Sequence, residues 1–218
     1  MSRVVGNVVN LRSRIHRARL RPDPYGLPGW IVNSDQLANR LSKDFGAQFN
    51  GFISEAFHVN AENGCFICYD QANDKLKLGP LVWGQENMVL IQDCIGYRAI
   101  GSFHTHVHTD KYRLAFSPPD IQSGLGEFAL AVGGSFSSEQ REKTLAVLSP
   151  YNYWKLPREE QDEIDYLLNQ SMLLIYQANA VVAKKPEGWV KEVEELEMES
   201  KLSMREVFRI LNMVYVPL

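Results

Sequence analysis

The chain has 218 residues, 45% of them hydrophobic and 22% charged, with 15 glycines and 10 prolines. These are ordinary globular values, which exclude collagen-like, disordered and low-complexity classes and suit one sizeable core with an appendage better than two full domains. A net charge of −3 gives no global field for nucleic acid or acidic lipid, and no apolar run approaches the ~18–20 residues of a membrane span or resembles a secretory signal, so a soluble, cytoplasmic protein is expected.

The first 21 residues carry six arginines (Arg3, Arg12, Arg14, Arg17, Arg19 and Arg21) and no acid. Three readings fit: a structural element with a solvated charged face, a basic arm for phosphate or an acidic protein, and an organelle transit peptide. Residues 22–29, rich in proline and glycine, read as a linker. Asn33-Ser34 then offers an N-cap, and Leu37, Leu41, Phe45, Phe49, Phe52 and Phe57 follow at near-helical spacing, which predicts one helix or two over residues 35–58.

From residue 64 the period shortens. Residues 65–69, 88–92, 97–106, 128–132 and 144–148 are short apolar or alternating runs between turn residues, and they predict the strands of one sheet. Three cysteines make no disulfide framework, and Cys65-x-x-Cys68 lacks the second pair of a zinc site. Cys94 alone cannot supply that pair, so Cys65 and Cys68 are read as buried packing residues or ordinary thiols. After Pro157, Ile164, Leu167, Leu168, Leu174, Ile175, Ala178, Val181 and Val182 share a helical face, and acids at 159, 160, 162 and 163 suit the helix start. Ser203-Met-Arg-Glu206 reads as a capping box opening a last short helix. The organisation is thus an N-terminal arm and linker (1–33), a sheet-containing domain (34–150) and a helical extension (151–218). The apolar side chains of that extension suit packing on the domain or a homodimer or partner surface.

Three of the five histidines lie within five positions: His104, His106 and His108. On a strand, residues two apart share a face about 6.5 Å apart, so His104 and His106 can chelate one ion, whereas His108, about 13 Å from His104 if the strand continues, is too distant to share it unless the chain turns. Ser117-Pro-Pro-Asp120 follows. It is a good helix-start signature in its own right, and it would also place the Asp120 carboxylate on a rigid element where it can serve as a third ligand. Two histidines, a carboxylate and an open position make a hydrolytic zinc site.

Ala99-Ile-Gly-Ser-Phe-His-Thr-His106 followed by Ser117-Pro-Pro-Asp120 resembles the JAMM motif of the MPN-type zinc metalloproteases, over roughly residues 34–150. The loop between His106 and Ser117, ten residues, is longer than is usual in that family, and Val107 stands where proline is frequent. The resemblance implies a three-layer α/β/α architecture of the α+β class, a mixed sheet flanked by helices in the manner of cytidine deaminases. It implies Zn2+ held by His104, His106 and Asp120, with Ser117 donating to the developing oxyanion. It also calls for an upstream glutamate as general base. Glu62, which opens the first strand 42 positions before His104, is the leading candidate, Glu55 on the preceding helix is the alternative, and Glu86 is a lesser one. The implied activity is amide hydrolysis as a peptidase or isopeptidase, on a protein or peptide substrate at the C-terminus of a ubiquitin-like or sulfur-carrier-like protein. Two other readings compete: a non-catalytic MPN-like scaffold, and a nucleic-acid-associated protein using the arginine arm, which the net charge disfavours.

Overall fold

The computed structural model describes residues 27–84, 94–106, 116–127, 131–137, 142–149 and 151–218. The arginine-rich segment, the expected strand at 88–92, Glu86 and His108 all lie outside these residues.

Helix α1 (Ser34–Val59) is a single helix. The Asn33 side chain accepts from the Gln36 amide at 3.0 Å, and Asn60 ends the helix in the left-handed region at φ 53°. Its buried stripe of Leu37, Ala38, Leu41, Phe49, Ile53 and Ala56 repeats at helical spacing. Phe57, included in the expected stripe, is instead 39% exposed. Residues 27–33, expected as a linker, contribute to the core: Ile31 is fully buried and Trp30 meets Tyr69 edge-on at 6.1 Å.

The chain then builds a mixed sheet from β1 (Asn63–Asp70), β2 (Lys75–Leu78), β3 (Val82–Trp83), β4 (Arg98–His106), β5 (Ala131–Ser137), β6 (Glu142–Leu148) and β7 (Val214–Pro217). The order is β2-β1-β4-β5-β6-β7, with β3 also on β1; β4 and β5 are parallel and the other pairs antiparallel. Helix α2 (Pro118–Glu127) makes the crossover between the two parallel strands. After β6 come α3 (Tyr151–Lys155), α4 (Arg158–Lys184) and α5 (Trp189–Ile210).

Two cores lie on the two faces of the sheet. Leu145 and Val147 of β6 join Phe103, Ile67 and Phe49 beneath α1, while Ala146 and Leu148 join Ile121, Ile164, Leu168, Met204 and Phe208 beneath α2, α4 and α5. A strand buried on both faces reads as a continuous apolar run, which is what residues 145–148 are. The result is a mixed α and β structure with helices on both faces of the sheet. Segment 151–218 supplies seven of the twelve buried residues of the second core, and its last residues form β7, a strand absent from the sequence reading. The expected short helix at 203 is the end of one long helix. Ser203 is buried within α5 and its hydroxyl donates back to the Glu199 carbonyl at 3.2 Å, so it caps nothing.

Cys68 and Cys94 form a disulfide that joins β1 to the approach to β4, with Cα atoms 5.9 Å apart. For Cys68 this corrects the reading as a packing residue or ordinary thiol, and Cys94 is its partner. Their pairing follows from tertiary proximity, which spacing along the chain does not reveal. Cys65 remains a buried free thiol, and burial pushes its pKa up to about 12, as expected of an inert packing cysteine.

Candidate metal centre

β1 and β4 set the frame of the site. They pair antiparallel with Gly64 opposite His104, which brings Glu62 at the entry to β1 alongside the end of β4. Phe103 and Thr105 point into the α1 core, so strand alternation turns His104 to the other face.

There it meets the start of α2. His104 Nε2 lies 3.5 Å from Asp120 Oδ2, although the two residues are sixteen positions apart. Asp120 is held by Ser117, whose backbone N–H and hydroxyl both donate to Asp120 Oδ2 at 2.6 Å. The backbone bond is the reciprocal half of a capping box, with Asp120 at the third helical position reaching back to the cap residue. Phe116 and Ile121, on either side of the cap, are both fully buried in the second core and staple the helix start in place. Phe116 also flanks the imidazole, with ring centroids 6.0 Å apart.

The electrostatics couple all three groups. Burial pushes the Glu62 carboxyl up to about 7; the His104 charge opposes this and the Asp120 charge adds to it. Burial disfavours a charged His104, but the Asp120 hydrogen bond and the charges of Asp120 and Glu62 outweigh it and hold the imidazole above its usual range. A buried acid shifted towards neutrality beside an imidazole and a second carboxylate is the pattern by which functional sites are recognised.

The structure therefore brings Glu62, His104, Ser117 and Asp120 together. Glu55 is exposed on α1. The His106 backbone ends β4 opposite Ser135 of β5, and its side chain lies outside the described residues. Among the described residues no group of three or more His, Cys, Asp or Glu side chains converges as a metal site. The pair that is described has a donor set suited to zinc: an imidazole nitrogen and a carboxylate oxygen, oriented by hydrogen bonds from Ser117. Ser117 Oγ has one proton and directs it at Asp120, so acting on a substrate oxyanion requires that proton to turn away from the carboxylate.

Sequence reasoning missed Phe116 as the wall of the site, although an apolar residue just before a capping serine is the signal of a hydrophobic staple. It also passed over Thr105, whose place between two histidines puts it on the opposite face of β4. No protein-family model, curated protein or solved structure matches the chain. Among the described residues no helix is long and apolar enough to cross a membrane.

Proposed function

We propose that the chain is a zinc-dependent metallopeptidase or isopeptidase of the JAMM type. It would hydrolyse an amide bond at the C-terminus of a ubiquitin-like or sulfur-carrier-like protein. The observation that carries this reading is the meeting of His104 and Asp120 at 3.5 Å beside Glu62, from three separate elements.

His104, His106 and Asp120 would hold the metal. When bound, zinc supplies Lewis acidity, which polarises a carbonyl and makes water nucleophilic near neutral pH. Glu62 is buried, and in the metal-free protein burial raises its proton affinity, the direction that suits a carboxylate that would accept a proton and return it to a leaving amine. Ser117 fixes the Asp120 carboxylate and has the hydroxyl to donate to a developing oxyanion. Phe116 walls the imidazole from water on one side and restricts its rotation.

The decisive experiment is elemental mass spectrometry of the purified protein, with His104→Ala and Asp120→Ala as controls. About one zinc per chain, lost in both variants, is expected, and cleavage of ubiquitin-like C-terminal amides should then vanish in Glu62→Gln. Substoichiometric metal that added zinc does not restore, and that neither substitution changes, would favour a scaffold without catalysis.

A further inference from the structure

Behind the candidate site, on the α1 face of the sheet, lies a buried polar pair that the chemistry above does not use. Asn63 follows Glu62 and is fully buried; Thr105 follows His104 and is 1% exposed. The Asn63 amide donates to Thr105 Oγ1 at 2.9 Å, and the Thr105 hydroxyl in turn has the Asn63 carbonyl and Oδ1 as acceptors, each at 3.3 Å. Here a side-chain oxygen takes the place of a ladder carbonyl at the very end of the β1–β4 pairing. Asn63 Nδ2 donates to the Phe52 carbonyl of α1 at 2.8 Å, which anchors the pair to the helix beneath it. On the far side, the Gly84 amide donates to the Glu62 carbonyl at 2.8 Å.

Polar groups buried this deeply destabilise the fold unless they are paired, and an apolar pair would fill the same space beside Phe52 and Phe103. What the polar pair adds is direction. Its bonds run between the residue after the proposed base and the residue after the proposed ligand, so they fix the separation of the two strand ends at the point where the chemistry needs it.

We propose that Asn63 and Thr105 are a positioning pair that holds the Glu62 end of β1 and the His104 end of β4 in register for metal binding and proton transfer. The role rests on reading the site as a zinc centre. Groups that orient metal ligands from behind commonly govern affinity or activity by about 10- to 100-fold.

The test measures zinc dissociation constants by chelator competition in the full chain, together with amide hydrogen exchange at residues 62–64 and 104–106. Thr105→Val keeps the shape and removes the hydroxyl; it should weaken zinc binding by about 10- to 100-fold and speed exchange at these amides, leaving those of β5 and β6 unchanged. Thr105→Ser restores the hydroxyl and should bind zinc as the natural protein does. Asn63→Ala keeps the backbone bond to Oγ1 and is the milder variant, expected to weaken zinc by about 10-fold; it decides the matter should Thr105→Val fail to fold. Lower thermal stability with unchanged zinc affinity in the folded variants would overturn the positioning role and leave the pair purely structural. A natural protein that binds no zinc would instead overturn the zinc reading, and the positioning role with it, before any variant is compared.

Discussion

Phe208, near the end of α5, lies edge-on against Phe116 with ring centroids 6.4 Å apart, and Phe116 is the residue that flanks His104. A side chain more than a hundred positions beyond the histidine strand thus supports the wall of the candidate centre.

Phe208→Ala should therefore do two things. Loss of a buried phenyl costs about 3–5 kcal/mol and lowers the melting temperature on the order of 10 °C. Zinc retention at a temperature where the variant is still folded should also fall, because the cavity lets Phe116 and the imidazole relax. Calorimetry and chelator competition check both, and undiminished zinc affinity would separate α5 from the site.

Glu62→Gln should abolish cleavage while stabilising the metal-free protein. The carboxyl rises from 4.5 to about 7 on folding, so between those values the native state binds more protons than the unfolded state and stability falls as pH rises. The natural protein and the variant should match below about pH 4 and differ by on the order of 3 kcal/mol above pH 7, with the variant the more stable. Parallel denaturation curves across that range would remove the buried-base assignment.

Reducing the Cys68–Cys94 bond should destabilise the fold. The bridge spans 26 positions, for which the chain-entropy account gives up to about 3.5 kcal/mol. Melting with and without a dithiol, and in Cys68→Ser, checks this; equal melting temperatures would mean that the bond does not form in solution.

Asp70 gives an acid-side signature. Hydrogen bonds from Asn73 and Lys77, the latter at 3.0 Å from Oδ2, hold its carboxyl below the usual range despite its burial. A depressed folded-state pKa stabilises above the unfolded value and ceases to do so as pH falls through the folded one. Asp70→Asn should be less stable than the natural protein at neutral pH, with the gap closing in the acid range. A gap independent of pH would point to packing instead.

Much of this was legible because it is local. The α1 stripe, the alternation into β4 and the apolar run of β6 each declare their element through periodicity, and the cap at Ser117-Pro-Pro-Asp120 is written in four consecutive residues. What stayed hidden depends on partners. β2 is four residues of alternating lysine and leucine that become a strand only against β1. In β7, Val214 and Val216 are half-buried and Tyr215 is exposed, a short alternation easily taken for a helical tail. The capping box at 203 failed because packing of α5 on α4 outweighs a local stop signal, with the buried hydroxyls of Ser171 and Ser200 meeting at 2.7 Å. At the site, the residue types were readable, whereas the support from Phe116, Asn63 and Thr105 required the fold.

The closing strand also bears on how the protein is made. Sixty-six positions separate Leu148 from Val214, so during synthesis β6 stands as a bare edge, carrying Leu145 and Val147, until both long helices have emerged and folded back. An apolar strand with unpaired backbone groups is a template for association with other nascent chains. Ribosomes paused within α4 or α5 would hold the protein at its most aggregation-prone stage, and chaperone dependence should be concentrated in that interval of translation.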